Sequence, residues 1–190
     1  MGKLTLVLGG ARSGKSTYAE KLAKQSGGTV VYVATAEPGD DEMIERIEKH
    51  KIQRPAEWPT LEIPFGIGQG VQESALRPDV FLLDCVTLLM SNLILHMTED
   101  IDQPPEEDVL TAVDAEIDAL IEAIRNTDAH WIVVSNEVGL GLVPPYPLGR
   151  VYRDAIGRAN QHLSRVADEV FFLVAGMVLP LHKLGTHIAD

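Results

Sequence analysis

The residues best suited to chemistry lie near the start of the chain, at positions 9–16. They read G-G-A-R-S-G-K-S, which has the spacing G-x-x-x-x-G-K-S. A loop of this kind wraps backbone N–H groups around phosphate oxygens and directs the N-terminus of the next helix at them. Lys15 is expected to reach the β- and γ-phosphates, and the Ser16 hydroxyl to ligate Mg²⁺. A glycine-rich turn without a ligand is the alternative. Because an apolar run precedes the motif and helix-forming residues follow it, the pattern predicts binding of a nucleoside triphosphate.

A second candidate group occupies residues 41–55, D-E-M-I-E-R-I-E-K-H-K-I-Q-R-P. At about 100° per residue, one narrow arc of a helix would hold Met43, Ile47, His50 and Arg54. A lone histidine on such a stripe is usually a satisfied core residue. The functional alternative is a neutral imidazole nucleophile, kept unprotonated by the cations around it. Those cations are Arg46, Lys49, Lys51 and Arg54. The spacing alone leaves both interpretations open.

Charged residues also follow two apolar strands. Asp84 ends the run V-F-L-L-D-C, as expected of the acidic residue that holds Mg²⁺ opposite Ser16, although such an aspartate is often only a turn residue. Glu137 follows the next strand and is a weaker candidate for polarising water or metal. Arginines after a proline-rich loop, at Arg150, Arg153 and Arg158, either neutralise charge moving between donor and acceptor or form a solvated helix face.

The elements that must position these residues alternate between strand and helix. Apolar runs predict strands at 4–8, 29–34, 60–63, 80–85, 130–135 and 169–174, with a further short strand in the tail an open possibility. Helical spacing predicts helices at 16–25, 41–53, 86–96, 106–125 and 148–167, and leaves 66–76 ambiguous. This alternation predicts an α/β fold, a mostly parallel sheet with helices on both faces. Ligands of such sheets bind at the carboxyl ends of the strands, so the phosphate loop, Thr35, Asp84 and Asn136 should surround one site.

Composition limits the function further. The 190 residues suit a single domain, and a net charge of −12 argues against a general nucleic-acid binder. Cys85 is the only cysteine, so a reducing cytoplasm is the expected setting. No signal peptide or membrane span is expected. The chain lacks the N-K-x-D of regulatory GTPases and the L-S-G-G-Q of transporter ATPases, and its length suits a small-molecule kinase.

Taken together, these residues resemble the bifunctional adenosylcobinamide kinase/adenosylcobinamide-phosphate guanylyltransferases of cobalamin biosynthesis. The resemblance spans nearly the whole chain, in order. Its motifs are G-G-A-R-S-G-K-S at 9–16, Y-V-A-T-A at 32–36, D-D-E-M-I-E-R-I-E-K-H-K-I-Q-R-P at 40–55, L-L-D-C-V-T-L-L-M-S-N-L at 82–93, S-N-E-V-G-L-G-L-V-P at 135–144, R-D-A-I-G-R-A-N-Q at 153–161 and A-D-E-V at 167–170.

The resemblance implies two reactions. ATP or GTP phosphorylates the adenosylcobinamide hydroxyl, and GMP is then transferred from GTP to that phosphate through a GMP-histidine intermediate at His50. Some members carry two adjacent histidines there, whereas this chain has Lys49 before His50. The implied nucleotide contacts are Gly9, Gly10, Ala11, Arg12, Ser13, Gly14, Lys15, Ser16, Ala34, Thr35, Ala36, Lys51, Ile52, Gln53, Arg54, Glu62 and Asp84.

The resemblance further implies a phosphate-loop domain similar to the recombinase core, a homotrimer and a corrinoid substrate, while the Mg²⁺ ligands expected from the residues themselves stay Ser16 and Asp84. Guanylyl transfer requires attack at the α-phosphate, so a separate nucleophile divides it into two displacements. His50 would attack in line while Arg46 and Arg54 stabilise the developing charge, and its helix would have to move on GTP binding.

Two other hypotheses remain at this point. One is a phosphate-loop kinase for another small hydroxyl substrate, with His50 merely structural. The other is a non-catalytic nucleotide-dependent switch or assembly ATPase.

Overall fold

The computed structural model describes residues 2–39 and 41–187, without the side chains of Glu42, Arg46, His50 and Gln53. The strands are β1 (Lys3–Gly9), β2 (Val30–Ala34), β3 (Thr60–Glu62), β4 (Val80–Asp84), β5 (His130–Asn136), β6 (Glu169–Val174) and β7 (Met177–Pro180). The helices are α1 (Lys15–Gln25), α2 (Asp41–Gln53), α3 (Ile67–Glu73), α4 (Val86–Met97), α5 (Glu106–Arg125), α6 (Pro147–Val166) and α7 (Leu181–Leu184).

The strands form one seven-stranded sheet in the order β3-β2-β4-β5-β1-β6-β7. Every neighbouring pair is parallel except β6 and β7, which are antiparallel. The α/β class predicted from the alternation of strands and helices is therefore confirmed. The carboxyl ends also align, since Gly9 pairs with Asn136 and Ala34 pairs with Asp84.

The central strands are almost entirely apolar because both of their faces are covered. On one face, side chains of β1, β4 and β5 pack with α3, α4, α5 and α6, and the Phe81 ring stacks on Trp131 with centroids 4.5 Å apart. On the other face, Val7 and Ile132 pack with Ala19 and Ala23 of α1. Alternate residues of each strand thus enter two separate cores.

In helix α5, the apolar positions predicted from the sequence agree closely with the residues that are buried in the structure. Its predicted apolar positions recur at three- and four-residue steps, which places them along one side of a helix. Those buried in the structure are Val109, Val113, Ile117, Leu120, Ile121 and Ile124.

Three local features extend the predictions. Residues 66–76, which the sequence left ambiguous, contain the short helix α3. Helix α6 begins at Pro147, one residue earlier than predicted, because proline is favoured in the first turn, where its missing N–H costs nothing. The tail adds β7, paired with β6, and then α7. Among the described residues, no helix has the length and apolar character needed to cross a bilayer.

Replacing Phe81 by alanine tests the packing beneath the sheet. Phe81→Ala should lower the free energy of unfolding by about 3–5 kcal/mol, because it leaves a cavity beside Trp131. Phe65→Ala is the matched control, since the Phe65 side chain is 38% exposed, and it should cost clearly less. Urea unfolding followed by circular dichroism measures both. Equal losses in the two variants would contradict this description of the core.

Candidate nucleotide-binding site

The loop between β1 and α1 has a backbone that only part of its sequence can adopt. Gly9 has φ +155°, and a Cβ there would lie 2.4 Å from the carbonyl oxygen of Leu173 and 2.7 Å from the Ser13 hydroxyl. Gly14, with φ +97°, is the N-cap of α1. Both angles are rare for residues with side chains. The two glycines of the motif therefore let the loop turn back over the N-terminus of α1.

Lys15 is folded into this loop. Its ammonium group donates a hydrogen bond of 2.8 Å to the carbonyl oxygen of Gly10, and the side chain is almost buried. The loop residues are thus held around a cation at the positive end of a helix, an arrangement that favours phosphate.

The phosphate loop forms one wall of a cavity of about 310 Å³. Strands β2, β4 and β5 contribute at their carboxyl ends, and α2 and α4 close the sides. The cavity is lined by Ala11, Arg12, Ser13, Gly14, Lys15, Ser16, Thr17, Tyr32, Ala34, Ala36, Met43, Ile47, Arg54, Asp84, Cys85, Leu88, Val134 and Asn136. Of the residues that the sequence predicted around one site, the phosphate loop, Asp84 and Asn136 line this cavity and Thr35 does not.

The charges on this cavity differ in sign from those of the protein as a whole. Its described lining contains the cations Arg12, Lys15 and Arg54 and one carboxylate, Asp84. The full chain carries a net charge of −12. A local cationic site in an acidic chain attracts a polyphosphate.

A hydrogen-bond network fixes the position of Asp84. The Thr35 hydroxyl donates to the carbonyl oxygen of Cys85 at 2.8 Å and accepts from its N–H at 2.9 Å. The Asn92 amide donates in turn to the carbonyl oxygen of Thr35 at 2.7 Å. The peptide bond between Asp84 and Cys85 is cis. The fully buried Thr35 side chain thus joins the ends of β2 and β4 and does not line the cavity.

Tyr32 is a site residue that sequence reasoning missed. The Arg54 guanidinium lies over the Tyr32 ring, 3.9 Å from its centroid, which is a favourable cation–π contact. Burial raises the pKa of the Tyr32 phenol above its usual range, and the nearby Asp84 carboxylate raises it further, partly through a hydrogen bond. The phenol therefore stays protonated at physiological pH and supports both groups. Tyr32 is part of the Y-V-A-T-A motif, but an aromatic residue in an otherwise aliphatic strand is equally typical of core.

Cys85 also lines the cavity but is a poor nucleophile there. Burial, followed by the negative charge of Asp84, raises the pKa of its thiol to about 11. Since the thiolate is the reactive form, the thiol is inert at neutral pH.

Several predicted nucleotide contacts lie outside this cavity. Gly9 and Gly10 belong to the loop but not to the lining, and Ile52 is 81% exposed. The Lys51 ammonium pairs with Glu62 at 3.3 Å, which links α2 to the end of β3 at an exposed position. The side chains of Arg46, His50 and Gln53 lie outside the described part of the chain, although all three residues belong to α2.

The remaining charged candidates contact the protein itself. The Glu137 carboxylate accepts a hydrogen bond from the N–H of Gly139 at 2.6 Å. Arg158 forms an ion pair with Asp114 of α5. Arg150 and Arg153 donate to backbone carbonyls of the loop that precedes their helix. In this structure none of these four side chains lines the cavity.

Comparison with known proteins gives the family. The model of the family described as cobinamide kinase / cobinamide phosphate guanyltransferase matches residues 5–181. The chain belongs to this family. The membership predicted from the sequence motifs is thus confirmed.

Individual relatives match over almost their whole length. The chain is 43% identical to the bifunctional adenosylcobalamin biosynthesis protein CobP of Pseudomonas aeruginosa, over 93% of this chain and 95% of that one. It is 42% identical to the bifunctional adenosylcobalamin biosynthesis protein CobU of Escherichia coli, over 92% and 97%. Among solved structures, the RadB recombinase matches with a TM-score of 0.47 and 14% identity, over 90% of this chain and 73% of that one.

The residues present suit a magnesium ion held together with a nucleotide. Ser16 and Asp84 line the same cavity. Among the described residues, no cluster of three or more His, Cys, Asp or Glu side chains forms a metal cage. Mg²⁺ commonly binds through one or two protein oxygens, with phosphate and water completing the shell. A hydroxyl and a carboxylate beside a phosphate loop are such a donor set.

The glycines of the loop provide a matched pair for testing its geometry. Gly9→Ala should destabilise the protein by about 1–3 kcal/mol or more, because an alanine there is strained and its Cβ meets Leu173. Gly10→Ala should be nearly neutral, since no atom lies within 4 Å of a Cβ built there. Thermal unfolding in the absence of nucleotide measures both. A neutral Gly9→Ala would show that the loop does not require this backbone.

Proposed function

We propose that this protein phosphorylates adenosylcobinamide with ATP or GTP and then transfers GMP from GTP to the resulting phosphate, giving adenosylcobinamide-GDP. The observation that carries the proposal is the shared cavity. One wall is a phosphate loop with Lys15 and Ser16, and the facing wall comes from α2, the helix to which His50 belongs. A kinase alone needs only the first wall.

In the kinase step, the acceptor hydroxyl attacks the γ-phosphate. The O–Pγ bond forms as the bond from Pγ to the bridging oxygen breaks, the hydroxyl proton passes to solvent, and the nucleoside diphosphate leaves. Lys15 and the loop N–H groups stabilise charge on the transferred group, and Ser16 and Asp84 would hold Mg²⁺. That ion, when bound, neutralises charge on the phosphate oxygens.

In the guanylyl step, His50 attacks the α-phosphate. A P–N bond forms, the bond to the bridging oxygen breaks, and pyrophosphate leaves. An oxygen of the corrinoid phosphate then attacks the same phosphorus and displaces the imidazole. Sequence spacing assigns position 50 to the arc of Met43, Ile47 and Arg54, and those three residues line the cavity. Arg46 and Arg54 would stabilise charge at the α-phosphate.

The attachment of α2 suits a helix that closes over GTP. Near its C-terminal end, Arg54 lies over Tyr32 and donates to the Thr60 hydroxyl at 3.4 Å, and Lys51 pairs with Glu62. An exposed pair such as Lys51–Glu62 is worth little and rearranges readily. We therefore assign the predicted contacts Lys51, Ile52, Gln53 and Glu62 to the closed form, in which α2 reaches the nucleotide.

The proposal also includes a cytoplasmic location, where nucleoside triphosphates are available, and assembly into a homotrimer. The single cysteine, Cys85, supports the first, family resemblance supports the second, and sedimentation tests the second.

Labelled GTP tests the central step. With Mg²⁺ and GTP labelled at the α-phosphate, the protein should acquire covalent label that is labile to acid and stable to alkali, as expected of a phosphoramidate. His50→Ala should abolish the label. His162→Ala is the control, because His162 lies on α6 near Asp118, and it should retain the label.

Two results would count against this mechanism. One is label that persists in His50→Ala. The other is label acquired from GTP marked only at the γ-phosphate, which indicates phosphohistidine chemistry and not guanylylation.

Asp84→Asn tests the proposed metal ligand. It keeps the shape of the side chain and removes its charge, so the Mg²⁺ concentration that gives half-maximal kinase rate should rise about tenfold or more. Asp102→Asn makes the same change in an exposed loop and should leave the Mg²⁺ dependence unaltered. A titration of rate against Mg²⁺ measures both. An unchanged dependence in Asp84→Asn would exclude it as a ligand.

A further inference from the structure

The segment between β5 and α6 exposes an unusual amount of apolar surface. Residues 138–146 read V-G-L-G-L-V-P-P-Y and carry no charge, in a chain where 23% of residues are charged. We call this segment the apolar loop. Leu140 is 81% exposed, Leu142 97%, Val143 63% and Tyr146 58%. A contiguous group of this kind commonly marks a binding surface.

The apolar loop is fixed to α6 and is not a loose connection. A Cβ on Gly149 would lie 2.4 Å from the Tyr146 ring and 2.7 Å from Pro144, so both pack directly on the helix backbone. Arg150 donates to the carbonyl oxygens of Pro144 and Pro145, at 3.3 and 2.9 Å. Arg153 donates to that of Gly139 at 2.7 Å. Leu140 and Leu142 lie between these contacts, so their side chains are exposed on a backbone whose position is fixed.

The residues that directly precede the apolar loop, Asn136 and Glu137, belong to the nucleotide site. The N–H of Glu137 donates to the carbonyl oxygen of Gly9, the first residue of the phosphate loop, at 3.0 Å. Asn136 lines the cavity, and its carbonyl oxygen accepts from the Asn160 amide at 2.9 Å. Leu140 lies four residues beyond Asn136, which an extended chain spans in at most about 14 Å. The loop is therefore a rim of the site that holds the triphosphate.

We propose that the apolar loop is the surface on which the ring system of the corrinoid acceptor packs. This inference rests on the proposed function. The acceptor hydroxyl must reach a phosphate held in a cavity of about 310 Å³, so the bulky ring attached to it has to lie outside, against the rim. An uncharged apolar rim suits the methyl-bearing edges of a corrin ring, because contact removes apolar area from water. A backbone already held in place reduces the ordering cost of binding.

The same geometry gives Arg150 and Arg153 a role that sequence reasoning did not anticipate. They are positioning residues, which hold the apolar loop through its carbonyl groups. Their guanidinium groups act on the loop that contacts the corrinoid and do not contact the phosphates.

The test is a steady-state kinase assay with adenosylcobinamide as acceptor. In the double variant Leu140→Ser/Leu142→Ser, the KM for the corrinoid should rise about tenfold or more, because two apolar contacts are lost. The KM for ATP should not rise with it. Leu184→Ser is the control, because Leu184 is also largely exposed (68%) but lies in α7, a helix that contacts β6, and it should change neither value.

Arg153 tests the positioning role. Arg153→Met should raise the KM for the corrinoid without raising that for ATP, and Arg153→Lys, which keeps a donor for Gly139, should recover part of the loss. A purely structural role would instead lower kcat and raise both KM values in Arg153→Met, with a lower melting temperature, and would contradict the assignment.

The outcomes separate the two proposals. If the unaltered protein does not phosphorylate adenosylcobinamide, the proposed function itself fails. If it does, and the double leucine variant has an unchanged KM for the corrinoid, the apolar loop is not the ring surface. Sedimentation velocity on the same variants adds a third result. A double variant that dissociates into smaller species shows that the loop is an interface between copies of this chain, which also overturns the inference.

Discussion

The site depends on the parallel hydrogen-bonded register of the central strands. Pairing of β1 with β5 places Gly9 beside Asn136, and pairing of β2 with β4 places Ala34 beside Asp84. A slip of one residue would exchange the faces of every side chain in a strand. Since both faces are buried in apolar cores, such a slip is costly, and the ends of the strands are held in fixed relation. The phosphate loop and Asp84 therefore lie together at one edge of the sheet, because the burial of both faces fixes the register of the strands that carry them.

The electrostatics of the edge follow from this arrangement. Cations from the loop and from the end of α2 converge on one cavity, while the acidic residues that give the chain its net charge lie mostly elsewhere. Tyr32 joins the two halves, because its ring lies under Arg54 and its phenol stays protonated beside Asp84. One buried residue therefore contacts both the group proposed to hold metal and a group proposed to act at the α-phosphate.

The sequence was sufficient for most of the fold because its signals were local. Fully apolar runs mark strands covered on both faces, and the spacing of α5 marks its buried side. The phosphate loop is equally local, since two glycines, a lysine and a serine at fixed spacing define a turn that binds phosphate. The sequence pattern did not predict the secondary structure where the residues have only a weak intrinsic preference for helix or strand. Residues 66–76 contain glycines that oppose a helix, and α3 forms there under the Glu116 carboxylate, which accepts hydrogen bonds from the N–H groups of Gly66 and Ile67.

By itself, the sequence determined the fold class, the triphosphate loop and the family. The tertiary structure decided which distant residues share the cavity. It placed Tyr32 there, turned Thr35 inward to bond Cys85, and directed Arg150 and Arg153 to carbonyl groups. Nothing in the spacing of arginines along a helix distinguishes a phosphate ligand from a clamp on a neighbouring loop. The partner of a long side chain is set by what lies across from it in space, and that depends on how α6 packs against the chain that precedes it.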